Sequence, residues 1–179
     1  LEIAKAYYKK KLLDFPKSDI QTHQAATAFL LSWDKKLQKW RILLINHKKI
    51  KKLIPVGGHV ESKETPEDSV RREVLEETNF STSFFWDNRR ISWSKKPILF
   101  SIQIEEIPAF GKTVAHFHED YMYVGYLPEE YFDKIAIGKK KGLYWIYVDD
   151  ILVNPQEYNV FQETLKTLQK LNIIPPPQF

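Results

Sequence analysis

Glu73, Glu76 and Glu77 are the residues whose type and spacing most plainly suggest chemistry. On an α-helix, at roughly 100° per residue, they fall within an arc of about 100° and form one acidic stripe. As a bare helix face the stripe is unfavourable, since like charges at i,i+3 and i,i+4 cost about 0.2–0.5 kcal/mol per pair. Glu76 and Glu77 also sit in the last turn, where the helix dipole disfavours anions. A hard divalent cation reverses the sign, because Mg2+ is held by a few carboxylate oxygens together with water and substrate phosphate. For three glutamates taken alone, a solvated acidic face is the commoner explanation.

The helix that would carry the stripe has legible ends. Thr65 is a good N-cap, and Pro66 suits the first helical position, where a missing N–H costs nothing. Glu67 and Asp68 put negative charge on the positive end of the dipole. Asn79 is the expected stop, because Asn is the best substitute for Gly in a left-handed cap. Before the helix, Leu53-Ile54-Pro55-Val56 leads into Gly57-Gly58, where a turn is expected, and a loop follows to Glu64.

Residues 58 to 80 resemble the Nudix box, G-x5-E-x7-R-E-U-x-E-E-x-G-U, with U a bulky apolar residue. Gly58 is the first glycine and Glu64 the first glutamate. Arg72-Glu73 is the R-E pair with Val74 after it, Glu76-Glu77 is the E-E pair, and Phe80 is the final apolar residue. One defined position departs, Asn79 for glycine, and the left-handed cap survives that exchange. Softer departures are Val56, which separates Pro55 from the glycines, and Lys63, where a glycine often precedes the glutamate.

That resemblance implies an α+β fold, an α/β/α sandwich with a mixed central sheet. It implies a pyrophosphohydrolase that uses Mg2+ (or Mn2+) to cleave a nucleoside diphosphate linked to another moiety, by water attack at phosphorus. Glu73, Glu76 and Glu77 would be metal ligands and the catalytic carboxylates, with the backbone carbonyl beside Gly57 as a further ligand. Glu64 and Arg72 would pair to brace the loop near Gly58. Members of the family often add an acid from beyond the box; Asp120 and Glu119 are the candidates, with Glu129 and Glu130 as rivals. The alternative is a catalytically silent nucleotide-binding module on the same fold, against which the full set of box carboxylates argues. An isomerase of the isopentenyl-diphosphate type would need a cysteine, and the chain has none.

Composition sets the outer bounds. The 179 residues fit one domain with an ordinary core, and five Trp, nine Tyr and eleven Phe argue against overall disorder. The absence of cysteine rules out disulfides and thiolate chemistry and suits a cytoplasmic protein. No apolar run approaches a membrane span, so no membrane partner is expected. The net charge of +4, from 27 basic and 23 acidic residues, favours anionic ligands but is too small to argue for nucleic acid. A small-molecule nucleotide is therefore the expected partner, with homodimerisation left open. The chain begins at Leu1 without a methionine, which leaves room for residues before it.

The elements that must position the stripe are read in order. An amphipathic helix is expected over 1–16, ended by Pro16. Residues 22–33 and 40–46 read as strands about an Asp34-Lys35-Lys36 turn, apolar on both faces and hence central. Lys48, Lys49, Lys51 and Lys52 form a basic run, a solvated loop or a place where one lysine meets phosphate. Further strands are expected over 82–104, with 97–104 the firmer part and a loop over 105–115. His116–Tyr126 is the next strand, and 143–148 the last. On the former, His116, His118 and Asp120 share one face at period two. Two imidazoles and a carboxylate could hold a transition metal, although oxygen donors suit Mg2+ better. Asn154 opens a final helix expected over 155–172 by a capping box. Trp33, Trp40, Trp86, Trp93 and Tyr121 could stack a base but are more commonly packing residues. Pro97 is a weak pointer toward ADP-ribose.

Overall fold

A computed structural model of the chain describes residues 21–48, 51–80, 83–84, 99–107, 109, 111, 114–129, 142–158, 164 and 167. The expected helix over 1–16, Trp86, Trp93, Pro97, Glu130 and most of the expected C-terminal helix lie outside them.

Eight strands among the described residues make one mixed sheet: β1 (Thr22–Asp34), β2 (Lys39–His47), β3 (Lys52–Ile54), β4 (Val56–His59), β5 (Ser83–Phe84), β6 (Leu99–Ile107), β7 (His116–Tyr126) and β8 (Leu143–Tyr147). Among the described residues two helices have defined bounds, α1 (Pro66–Thr78) and α2 (Val148–Val153), and Thr164 and Thr167 are helical as well, inside the helix expected over 155–172. β1 is the hub. It runs parallel to β7 along its length and antiparallel to β4 over Ala25–Ala28 and to β2 over Leu31–Asp34. β8 and β3 add to β2, and β5 and β6 add to β7.

The continuous apolar run in β1 is explained by cover on both faces. Phe29, Leu31 and Trp33 join Met122, Val124, Tyr126, Val148 and Ile151 in one core, so α2 lies on that face. Ala26, Ala28 and Leu30 join Tyr123, Val70 and Val74 in the other, so α1 lies opposite. Successive strand residues thus feed different cores, and the result is the expected sandwich. Trp33 and Trp40 meet edge to face with centroids 5.1 Å apart and belong to the first core. Among the described residues no helix is long and apolar enough to cross a membrane.

Two local expectations change. Gly57 and Gly58 are not a turn but part of strand β4, paired with Thr27 and Ala26. Glycine is required there by crowding: a Cβ on Gly57 would lie 2.6 Å from the Ala26 carbonyl oxygen, and one on Gly58 would collide with the Glu73 carboxylate. The last strand passes directly into α2, a helix the sequence reading did not include, and residues 155–158 form a turn closed by Glu157 N–H donating to the Asn154 carbonyl at 3.1 Å. β6 also extends to Ile107, into the expected loop.

Candidate active site on helix α1

Local sequence chemistry sets α1 as expected. Thr65 caps it, accepting from the Asp68 N–H at 3.2 Å while the Asp68 carboxylate accepts from the Thr65 N–H at 3.3 Å. Pro66 opens it, and Asn79 closes it at φ 61°, ψ 22° in the left-handed region, its N–H donating to the Leu75 carbonyl. Val70 and Val74 bury the inner face, which leaves the acidic stripe on a flank. Two residues before Thr65, Lys63 sits at φ 74°, the position at which the Nudix pattern often has glycine.

Arg72 is the centre of the polar network. Its Nε and Nη2 donate to both Glu64 oxygens at 2.7 and 3.0 Å, a bidentate pair. Nη1 donates to Glu73 at 2.7 Å and to Glu76 at 3.3 Å. Nη2 also reaches the His59 carbonyl at 3.1 Å, which accepts from Ser69 Oγ at 3.2 Å as well. The box loop is thereby tied to the helix through one guanidinium. Hydrogen bonds from Arg72 and from the Glu61 N–H hold the Glu64 carboxyl below its usual range, and the Glu64 pairing raises the guanidinium above its own.

Glu73 behaves differently. Burial pushes its carboxyl above the usual range, Arg72 pulls it back, and Glu76 and Glu77 push it up again. It is a carboxyl short of positive charge even with a guanidinium beside it, held against the bare backbone of Gly58. Glu76 is exposed and Glu77 partly buried. Three carboxylates on one flank, one of them raised by burial and by its like-charged neighbours, fit a divalent cation with oxygen preference.

The two candidates beyond the box part company. Asp120 is buried, 5% exposed, and accepts from Thr27 Oγ1 at 2.9 Å. It alternates with Met122, so it lies on the α2 face of the sheet, away from α1. Burial pushes its carboxyl up to about 6, against the Thr27 hydrogen bond. Glu119 points to the α1 face. It accepts from Gln24 at 3.5 Å, one strand repeat from the Gly58–Ala26–Tyr121 row over which Glu73 lies. Glu129 pairs instead with Arg41 at 3.5 Å, beside Asp34 at the other end of β1.

His116 and His118 do come together, with Nε2 atoms 3.1 Å apart. Asp120 does not join them; His23 and His59 do. Neither of these was singled out in the sequence, because each is a lone histidine there. Only the order β4–β1–β7 brings them to the pair.

The NUDIX domain family matches residues 21–162. Among solved structures, the chain is similar to C. elegans Ap4A hydrolase at 15% identity, covering 85% of this chain and 97% of that one, with a TM-score of 0.58. A mutT/nudix family protein from Listeria innocua is 17% identical over 84% of this chain and 91% of that chain, TM-score 0.54. Shewanella oneidensis NrtR, a protein also solved with a 27mer DNA, is 14% identical over 83% of this chain and 61% of that chain, TM-score 0.52. At these identities the likeness is one of fold. No curated protein matches the sequence.

Proposed function

Because this chain belongs to the NUDIX domain family, a family of hydrolases, we propose that it is a Mg2+-dependent (or Mn2+-dependent) pyrophosphohydrolase. It cleaves a nucleoside diphosphate linked to another moiety, by attack of water at phosphorus. The observation that carries the reading is the cradle: Glu73 held between Arg72 and the bare backbone of Gly58, with Glu76 and Glu77 on the same helix flank.

Glu73, Glu76, Glu77 and the carbonyl beside Gly57 are the proposed ligands. A cation held by them would supply positive charge for the phosphoryl oxygens and for activation of the attacking water. The chain's own residues do the remaining work. Arg72 holds Glu73 and Glu76 in place and keeps the loop against the helix through Glu64 and the His59 carbonyl. In-line displacement of a phosphoryl group depends mostly on positioning, so this bracing matters even though Arg72 and Glu64 react with nothing. Glu119, on the α1 face, is the proposed further acid and candidate base; Asp120, bound to Thr27 on the other face, is not.

The test is a substrate panel of ADP-ribose, dinucleoside polyphosphates, nucleotide sugars and nucleoside triphosphates, run with Mg2+ and with Mn2+. Turnover of one class, with Glu77→Gln lowering kcat by about 10²–10³-fold in a folded protein, supports the reading. Wild-type rates in Glu77→Gln would sink the ligand assignment. No turnover of any class would favour the silent nucleotide-binding module.

A further inference from the structure

Four histidines meet on the sheet face opposite α1. His23 lies on β1, His59 ends β4, and His116 and His118 lie on β7. One donor nitrogen from each lies within 4.8 Å of all the others. Their rings surround a common point: His23 to His116 is 4.7 Å between centroids, His59 to His118 is 4.6 Å, and His116 to His118 is 4.9 Å. His23 stands 5.7 Å from His59 and 6.4 Å from His118.

The tautomer of one member follows from its partner. His116 Nδ1 lies 2.9 Å from the Val114 carbonyl oxygen, which can only accept, so Nδ1 carries the hydrogen. In the neutral ring Nε2 then holds a lone pair, and it points at His118 Nε2, 3.1 Å away. A backbone carbonyl fixing Nδ1–H while Nε2 faces inward is the orienting arrangement that metal-bound imidazoles use. A single N–H···N hydrogen bond would account for the His116–His118 pair. It would not account for two further imidazoles closing on the same point.

We infer that His23, His59, His116 and His118 form a second cation site, four-coordinate and selective for a Zn2+-type ion. In a tetrahedral Zn–imidazole centre with Zn–N of about 2.0–2.1 Å, neighbouring nitrogens are about 3.3–3.4 Å apart. The His116–His118 separation is already close to that edge, and the others contract modestly to reach it. Nitrogen donors alone suit Zn2+ and its neighbours and bind Mg2+ poorly, since that ion prefers oxygen. The two sites therefore sort cations by donor chemistry. Asp120 stays outside the set, committed to Thr27.

The site would act as a clasp. Its ligands come from three adjacent strands, and one of them, His59, also supplies the carbonyl that receives Arg72 and Ser69. An ion there fixes the end of β4 from which the box loop departs. The inference stands on the histidines themselves and does not depend on the proposed hydrolase chemistry.

The full chain, stripped with chelator, is titrated with Co2+ and then with Zn2+. We expect an intense visible Co2+ band of tetrahedral type, one ion per chain, displaced by Zn2+ and not by Mg2+. Zn2+ should also raise Tm by several degrees. Glu76→Gln/Glu77→Gln should leave band and shift intact, whereas His118→Ala and His23→Ala should each abolish them while far-UV circular dichroism stays native. Absence of the band in the wild type overturns the proposal, whatever the variants do. So does a band retained in both histidine variants, or one lost in the box variant.

Discussion

The Glu73 carboxylate occupies the space that a side chain on Gly58 would fill. Strand β4 is bare there so that a helix carboxylate can reach the sheet, and the acidic stripe and the glycine pair are thus one feature. Gly58→Ala should displace Glu73 from Arg72 and from its place on the flank. A misplacement of about 1 Å at a reacting centre can cost about 10²-fold in rate. We expect that loss in kcat with little change in Tm, measured on whichever substrate the panel identifies. Full activity would mean that Glu73 need not sit there.

Arg72→Lys should be far from conservative. A lysine cannot reproduce the fork on Glu64 or hold Glu73, Glu76 and the His59 carbonyl together. Because the side chains are partly exposed, the expected stability loss is only about 1–2 kcal/mol. The activity loss should exceed what that predicts. Urea unfolding beside steady-state kinetics checks both.

Lys63→Gly should stabilise the protein. Lys63 stands at φ 74°, where an L side chain costs about 1–2 kcal/mol, partly offset by the greater unfolded-state freedom of glycine. A net gain of about 0.5–1 kcal/mol, seen as a higher Tm, is expected. A lower Tm would show that the lysine makes a contact worth more than the strain.

Asp34 should govern part of the acid stability. It accepts from Tyr147 Oη at 2.6 Å and from the Lys36 and Leu37 N–H groups at 2.9 Å, with Arg41 at 3.9 Å. The Tyr147 and Leu37 hydrogen bonds lead in holding its carboxyl below the usual range, against desolvation. A group depressed in the folded state contributes its full stability above its unfolded value of about 4, and loses it as pH falls through the folded value. The urea midpoint should therefore drop below about pH 4, and Asp34→Asn should lower the midpoint at neutral pH and flatten that drop. An unchanged acid profile in the variant would remove Asp34 from the account.

Much of this was legible in the chain because it is local. Thr65, Pro66 and Asn79 define α1 through caps and backbone preference, which act within a few residues. The apolar runs of β1 and β2 announce central strands. The Nudix pattern around Glu73, Glu76 and Glu77 carries its own spacing. Expectations failed where the cause is not local. Gly57-Gly58 reads as a turn until Ala26, Thr27 and Glu73 are known to lie against it. The helix Val148–Val153 is too short for periodicity to reveal.

The sequence by itself determined the box helix, its ends and its acidic flank, since each rests on spacing within one element, and the resemblance carried by that box implied the sandwich class. Only the tertiary structure decided which face each strand residue takes. Glu119 and Asp120 are neighbours in the chain and go to opposite sides of the sheet, one toward α1 and one to Thr27. His23, His59, His116 and His118 are scattered in the chain and converge. The reason is register: β1 pairs His23 with His118 and Ala25 with His59, and alternation then turns those side chains to one face.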